Sequence, residues 1–477
     1  MKFSFISPGP NETLLKGQKT MINASPPLGI LYIVSMLKSV GVEVSALDQA
    51  AEGSSIEEVV DWVMREDPDV LGISALLTSS LTAPKIAEEV KKRNPDVAIV
   101  FGNHHATFNA ERILRKYACV DLVVRGEGEE TCVEIVDCLD EKGSLKDVLG
   151  ITFGHKGQII SNPDRPLIKD IDSLPFPDRD ILDVEYHNTT IGIDVAPKKF
   201  TSFLSSRGCV FRCKFCNCTS MARNSWRPRS IENILEEIRL LASEGYEQMM
   251  FVDDNFTLNR KRVIELCQMM RKEKIDLEWM SEGRVDNCSY DLLRGMVKAG
   301  CRMMYFGIES GSQRVLDYYN KRINPEQSER AVAKARKAGV DIIVGSFIIG
   351  APNETKKEIQ ETLRFSRKLD LDIPQVNILG AFPGNLIWEE IREKGLMDEE
   401  RYWETGVCIS DVYPNAVPLK ELKQIIHDYY QDFLRRPRYL VKQILLASRS
   451  LYRLNVAFSN FSRINIIRDC INSFTSI

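Results

Sequence analysis

The feature that most constrains this 477-residue chain is a twice-repeated alternation of short apolar runs with amphipathic runs. Lys2–Ser7, Val42–Leu47, Val70–Ser74, Ala98–Phe101 and Leu122–Val124 are predominantly apolar, as strands covered on both faces are. Between them, Gly29–Ser39, Ile56–Glu66, Ala83–Arg93 and Ala110–Tyr117 place apolar residues at helical spacing. Short connections between such runs predict an α/β fold with a parallel sheet, whose ligands sit at the carboxyl ends of the strands. A Pro-rich stretch, 142–199, then reads as a linker with room for a small hairpin, Gly150–Phe153 and Gln158–Ser161. The alternation resumes with Thr201–Leu204, Gln248–Val252, Leu277–Met280, Met303–Phe306, Ile342–Phe347 and Val376–Leu379. Helical runs such as Ile231–Ala242, Arg260–Lys272 and Glu329–Lys337 lie between these strands. Six such units in about 200 residues predict an incomplete (β/α)6 barrel rather than an eight-fold one. The expected domains are therefore 1–141, a linker 142–199, a barrel 200–394 and a helical region 395–477.

Composition removes whole classes. With 63 Lys+Arg against 67 Asp+Glu, a net charge of −4 and 44% hydrophobic residues, the chain is neither disordered nor a bulk nucleic-acid binder. Met1–Pro10 lacks the apolar core of a signal peptide. The longest uncharged apolar run, near Ile342–Ala351, is short of the roughly 20 residues that span a bilayer. A cytoplasmic location is expected, where the 12 cysteines are reduced. Isolated ones, such as Cys119, Cys267 and Cys301, read as small buried hydrophobes.

The tail is different. From Phe433 onward it holds eight Lys+Arg and a single acidic residue, Asp469. Leu440, Ile444, Ala447, Leu451 and Leu454 recur at helical spacing with Lys442, Arg449 and Arg453 interleaved. That pattern predicts one basic amphipathic helix, either in peripheral contact with an anionic membrane or packed on the barrel with a solvated basic face.

Chemistry concentrates in one loop. After the first barrel strand the chain reads Arg207-Gly208-Cys209-Val210-Phe211-Arg212-Cys213-Lys214-Phe215-Cys216. Three thiolates so close together can wrap one soft metal centre, an iron–sulfur cluster or zinc. Structural zinc takes four ligands, usually as two separated pairs. Only Cys218 is near enough to be a fourth, at a cramped spacing. Three cysteines without a fourth suit a [4Fe–4S] cluster with one open iron.

This CxxxCxΦC pattern, ending the first strand of a partial TIM-like barrel, resembles the radical S-adenosylmethionine (SAM) superfamily. The resemblance implies that Cys209, Cys213 and Cys216 hold the cluster. The amino and carboxylate groups of SAM would chelate its fourth iron. One electron then cleaves SAM to a 5′-deoxyadenosyl radical that abstracts a hydrogen atom, and a one-electron donor, ferredoxin or flavodoxin, is implied. SAM contacts are expected from Phe215 in the loop. Asp253 is expected to contribute too, although the family's Gly-Gly-Glu form is absent from Phe251–Asn255. Glu282 and Arg284 follow the third strand, with Arg284 expected opposite the SAM carboxylate because guanidinium–carboxylate pairing is bidentate. Glu309 and Ser310 lie in a Glu-Ser turn, Gly307–Gly311. Ser346 lies in the Gly345–Thr355 segment, which is similar to the fifth-strand adenine motif, and Ala381–Gly384 resembles the Pro-Gly turn after the sixth.

No GxGxxG fingerprint precedes the barrel; Arg125-Gly126-Glu127-Gly128-Glu129 lacks the third glycine and is acidic. Asp48-Gln49-Ala50-Ala51-Glu52-Gly53, Ser74-Ala75-Leu76 and Gly102-Asn103 each follow a strand. Together they resemble the cobalamin signature DxHxxG…SxL…GG of flavodoxin-like domains. The resemblance implies cobalamin contacts from Asp48, Ala50, Gly53, Ser74, Leu76, Gly102 and Asn103. Ala50 occupies the histidine position and cannot ligate cobalt, and Asn103 replaces the second glycine. His104 and His105 sit at the same sheet end and read either as ligand contacts or as loop hydrogen-bonders. The whole resembles the subgroup with anaerobic magnesium-protoporphyrin cyclase, hopanoid and archaeal lipid-modifying enzymes and cobalamin-dependent methylases. It implies methylation of an unactivated carbon in a small-molecule, lipid or peptide substrate. The alternatives are cyclisation, C–C coupling or oxidation without methyl transfer, and, from another class, a cobalamin-sensing or electron-transfer protein.

Overall fold

The computed structural model describes residues 1–11, 25–139, 143–406 and 416–461. The chain forms two compact units, Met1–Glu185 with Trp403–Gly406, and Tyr186–Tyr402 with Val407–Ile477.

The first unit is built on β1 (Lys2–Ser7), β2 (Glu43–Asp48), β3 (Val70–Ser74), β4 (Ala98–Gly102) and β5 (Leu122–Val124). Helices α1 (Leu28–Ser39), α2 (Ile56–Glu66), α3 (Thr82–Arg93), α4 (Asn103–Lys116) and α5 (Glu129–Leu139) connect or follow them. The five strands pair in parallel in the order β2-β1-β3-β4-β5. Two further strands correct the sequence reading. The hairpin β6 (Ile151–His155) and β7 (Gln158–Ser161) is not linker: it adds antiparallel to β5, which makes a seven-stranded mixed sheet. Ile151 and Phe153 join the core of Phe3, Val34, Val100 and Ile135. The unit therefore runs to Glu185, and the expected boundary at 141 falls outside the described residues.

The second unit carries six parallel strands in sequential order: β8 (Phe200–Phe203), β9 (Gln248–Phe251), β10 (Glu278–Arg284), β11 (Cys301–Glu309), β12 (Ile342–Ile349) and β13 (Ile373–Ile378). Helices α6 (Ile231–Ser243), α7 (Arg260–Lys272), α8 (Tyr290–Lys298), α9 (Pro325–Ala338), α10 (Lys356–Lys368) and α11 (Leu386–Glu393) complete the incomplete barrel. Their inner faces meet the strands in one core containing Phe251, Trp279, Phe306 and Phe347. α12 (Leu419–Arg435) buries Leu422, Ile426, Tyr429 and Phe433 in that core, so this part of the tail belongs to the barrel.

The expected single tail helix is two, α13 (Pro437–Ala447) and α14 (Leu451–Phe461), separated at Ser448–Ser450. The break changes the face that follows. Arg453, expected on a solvated basic face, is buried and pairs with Asp372 at 2.9 Å. The tail beyond Phe461 lies outside the described residues.

Candidate active site

The cysteine loop is tied down on three sides. At the end of β9, Asp253 accepts hydrogen bonds from the Ser205 N–H (2.8 Å), Ser205 Oγ (2.7 Å) and Ser206 Oγ, and Asp254 accepts from the Gly208 N–H (2.9 Å). The Lys214 N–H donates to the Tyr319 carbonyl (2.9 Å), and Asn320 Nδ2 donates to the Arg212 carbonyl (2.8 Å). The Ile387 N–H reaches the Lys214 carbonyl (3.2 Å), and Asn385 Nδ2 reaches that of Phe215 (3.3 Å). Gly208 sits at φ +92°, and an added Cβ would stand 2.3 Å from the Ser225 carbonyl oxygen, so the turn demands glycine.

Cys209, Cys213, Cys216 and Cys218 line one cavity of about 490 Å3 at the carboxyl ends of the strands. Among the described residues no group of three His, Cys, Asp or Glu side chains is arranged to hold a single ion. A cubane presents a different iron to each thiolate, so it needs thiols around it rather than converged on one point. Burial pushes the Cys209 and Cys213 thiols up. The Cys218 thiol donates to the Cys216 sulfur, which lowers Cys216 and raises Cys218. Arg284 Nη1 lies 3.8 Å from Cys213 Sγ, and Lys321 is a further cation favouring its thiolate. Buried soft donors beside two cations fit a metal centre that ionises its own ligands.

Opposite the thiols, alternate residues of each strand face the cavity, as the period of two requires: Glu282 and Arg284, Tyr305 and Glu309, Ser346 and Ile348. Phe215 also lines it, edge-on to Tyr319. Glu309 is held at φ +65°, unusual for a side-chain-bearing residue, and forms a buried ion pair with Lys321 at 2.6 Å. Burial, with the Asp254 and Glu309 carboxylates nearby, pushes Glu282 up to about 7. Glu282 and Arg284 lie within β10 rather than after it, because the strand runs four residues further than the apolar run indicates.

Of the expected SAM contacts, Ser310 lies outside the cavity lining, while Asp253 and Arg284 line it with their polar atoms already engaged. Ser310 turns out of the cavity: its Oγ meets Thr362 Oγ1 (2.9 Å) and accepts from the Ser312 N–H (3.1 Å). Both carboxylate oxygens of Asp253 are engaged by the serines of the loop entry, so it positions the loop. The Arg284 fork is filled by Asp286 (3.0 and 3.0 Å), and its Nη2 also donates to the Lys321 carbonyl (2.7 Å). Only its Nη1 edge is turned to the thiols, not a free fork to a SAM carboxylate. Sequence reasoning missed Lys321, which has no local pattern around it, and Tyr305, which counting back in twos from Glu309 finds.

In the first unit the expected corrinoid residues share one sheet end. Asp48 caps the turn Gln49–Glu52, accepting from the Ala50 (3.1 Å) and Ala51 (3.2 Å) N–H groups, and Gly53 ends it at φ +71°. Asn103 follows β4 at φ +78° and donates from Nδ2 to Ser74 Oγ (2.8 Å). It thus takes the left-handed backbone conformation that glycine would supply. Leu76 is exposed, and a Cβ added at Gly53 or Gly102 meets no atom within 4 Å. Open space over a glycine-like backbone fits a large, flat ligand. His104 bonds Asn103 Oδ1 through Nδ1 (2.7 Å). His105 is buried against Trp403, with ring centroids 5.5 Å apart, and burial lowers it to about 4.

Residues 203–366 match the model of the radical SAM superfamily, and residues 22–136 that of the B12 binding domain. An uncharacterized methyltransferase of Pyrococcus horikoshii is 34% identical over 446 residues, 93% of this chain and 95% of that protein. The chain belongs to the cobalamin-binding radical SAM family. As such it is an enzyme whose cofactors are a [4Fe–4S] cluster, SAM and cobalamin, and which needs a reductant and acts on small substrates. The reading as a sensor or electron carrier is thereby set aside. Another relative, the anaerobic magnesium-protoporphyrin IX monomethyl ester cyclase of Rubrivivax gelatinosus, is 28% identical over 427 residues, 87% of this chain and 75% of that protein. The radical SAM enzyme OxsB, solved with aqua-cobalamin and SAM bound, shares the fold at a TM-score of 0.70 and 16% identity. That match covers 99% of this chain and 78% of OxsB.

Proposed function

We propose that this enzyme methylates an unactivated carbon. The observation that carries the reading is the row of three thiols, Cys209, Cys213 and Cys216, facing the carboxyl-end carboxylates of the same barrel cavity, in a chain that also carries a B12 binding domain. Bound there, the cluster and SAM supply a hydrogen-abstracting radical, and cobalamin carries the methyl group. The protein's own residues place and shield. Cys209, Cys213 and Cys216 hold the cluster; Cys218 donates its S–H to the Cys216 ligand. Glu282, Asp254 and Glu309 form an acidic wall for the cationic amine and the ribose hydroxyls of SAM, with Ser346 beside its adenine. Arg284, locked by Asp286, keeps a cation against the Cys213 thiolate rather than binding SAM by a free fork. Phe211 stacks under its guanidinium at 3.8 Å and helps to exclude water. In the first unit, Asp48, Ala50, Gly53, Ser74, Leu76, Gly102 and Asn103 cradle cobalamin through backbone and short side chains. Ala50 has no donor atom with which it could ligate the cobalt.

The electron donor is a ferredoxin or flavodoxin, and the compartment is the reducing cytoplasm. Ten described cysteines are free, which supports that placement. The substrate is a small molecule, a lipid or a peptide. Of these a lipid would bring the enzyme to a bilayer surface, where the C-terminal helices are the region to meet it. The test is one anaerobic turnover with cobalamin, reductant, deuteromethyl-SAM and a lipid-rich extract. Comparable 5′-deoxyadenosine and S-adenosylhomocysteine, with label in a new product, are expected. Deoxyadenosine without S-adenosylhomocysteine would replace methylation by the second reading, cyclisation or coupling, which the cyclase relative favours.

A further inference from the structure

The last two described helices carry apolar side chains on both sides. The faces that meet the barrel are held mainly by polar contacts, although α14 also buries Tyr452 and Val456 in the core of Val195, Phe200 and Met280. Tyr439 Oη donates to the Asp372 carbonyl (2.8 Å), Lys442 pairs with Asp370, and Gln443 Nε2 donates to Asp372 Oδ1 (3.1 Å). From α14, Arg453 pairs with Asp372 (2.9 Å), Tyr452 Oη donates to the Val195 carbonyl (2.7 Å) and Asn460 Nδ2 to that of Asp194 (2.8 Å). The outward faces are apolar. Seven of the 17 exposed large apolar side chains among the described residues fall between Leu440 and Phe461. Ile444 is 70% exposed, Leu451 75%, Phe458 76% and Phe461 77%.

The exposed positions are ordered. On α13 they are Leu440, Val441, Ile444 and Leu445, one stripe at a period of 3.6; on α14, Leu451, Phe458 and Phe461 fall within about a quarter-turn of one another. No residue of α13 is buried, so this face is not covered by the barrel. Contiguous apolar surface of this kind on a folded protein marks a binding surface. Its charge names the occupant. There is no Asp or Glu from Phe433 to Phe461, and Arg438, Lys442 and Arg449 share a shallow groove with Val441 and Leu445. A second copy docked face to face across a two-fold axis would bring like cations together. An anionic lipid surface takes both the cations and the aliphatic stripe.

We propose that α13 and α14 are a membrane-docking surface: they lie flat on an anionic bilayer, with Ile444, Leu445, Leu451 and Phe458 entering the acyl boundary and Arg438 and Arg449 at the headgroups. No helix among the described residues is long and apolar enough to cross a membrane, which fits a docked rather than a spanning attachment. The proposal goes beyond the methylase reading and stands independently of which reaction the barrel performs.

The experiment is vesicle flotation of the full chain carrying its cluster and cobalamin. Phosphatidylcholine vesicles containing phosphatidylglycerol are compared with phosphatidylcholine alone. Flotation with the anionic vesicles only is expected. Val441→Asp/Leu445→Asp should cut the bound fraction about tenfold or more, and Arg438→Gln/Arg449→Gln several-fold. All four side chains are at the surface, and unchanged iron content of the reconstituted protein checks that the barrel of each variant is folded. Four results would overturn the proposal, the fourth given by a truncation. One is no flotation with either vesicle. Another is flotation that both double variants leave unchanged. A third is a concentration-dependent dimer that Val441→Asp/Leu445→Asp dissolves while vesicles capture nothing. A chain ending at Phe461 should float as the full chain does; flotation gained only on that truncation would show that residues 462–477 cover the face, and would also overturn it.

Discussion

At the carboxyl end of the first sheet, the ligand-facing elements are backbone and short side chains: a capped turn at Asp48, a left-handed Asn103, and glycines with empty space above them. In the barrel cavity they are charged and soft side chains, cross-braced by Asp253 on two serines, Glu309 on Lys321 and Arg284 on Asp286. The contrast follows from the ligands each can take. A corrinoid is broad and mostly uncharged around its ring, so shape and close backbone approach decide its binding. A cluster and SAM carry concentrated charge, so the barrel meets them with thiols, carboxylates and cations, several of them braced by partners of their own. Single substitutions should accordingly act abruptly in the barrel and gently on the sheet.

The largest effect is expected from Cys213→Ala. Iron analysis and the visible spectrum after anaerobic reconstitution should show near-complete loss of the brown cluster, with cobalamin content unchanged. Cys218→Ala should retain its iron; loss of iron there would return Cys218 to the ligand set. Next is Lys321→Met, which strands the buried Glu309 carboxylate and should cost about 3–5 kcal/mol in the barrel's denaturant transition. Adding Glu309→Gln should recover part of that loss, and a purely additive double variant would refute the pairing.

The third expectation concerns His105 on the sheet side. Its folded value, about 4, lies below the ordinary 6.5 because the ring is buried. The unfolded chain therefore binds the extra proton first as pH falls. The stability of the neutral ring is complete above about 6.5 and declines down to about 4, by at most about 3 kcal/mol. His105→Gln should flatten that slope in melting curves between those values, and an identical slope would assign it to other groups. The smallest effect is expected from Asn103→Val, which forces a β-branched residue to φ +78° at about 1–2 kcal/mol and should weaken cobalamin binding. Asn103→Gly should bind as the native protein does; if Gly weakens cobalamin as much as Val, the Asn side chain rather than the backbone is what matters.

The strands of both units, the cysteine loop and the turns at the carboxyl end of the first sheet were legible because each is written locally, in a periodicity or a spacing. The hairpin 151–161 was read, but not its place in the sheet, because nothing in its own residues says that it pairs with β5 across the intervening helix. Ser310 was misplaced because a motif fixes a position but not a direction. The positive φ of Glu309 sends one side chain inward and lets the next turn to Thr362. Lys321 could not be read at all, since its partner Glu309 is brought to it by the fold, and Asp286, though only two residues from Arg284, carries no signal of which way its carboxylate turns. In the tail, the periodicity ran unbroken through Ser448–Ser450, where the chain itself ends one helix and starts another.

The three-sided anchoring of the cysteine loop bears on the order in which the holoenzyme is assembled. In a zinc finger, the metal meets a disordered chain and the free energy of binding is spent on folding it. Here Tyr319, Asn320, Asp254 and Ile387 already fix the peptide path between Gly208 and Phe215 through hydrogen bonds that involve no thiol. Most of the conformational entropy of the loop is thus surrendered when the barrel folds, before any iron arrives. The barrel should therefore fold cooperatively without its cluster, and because the cluster is held by the folded chain alone, the loaded protein should unfold at a higher denaturant concentration than the empty one.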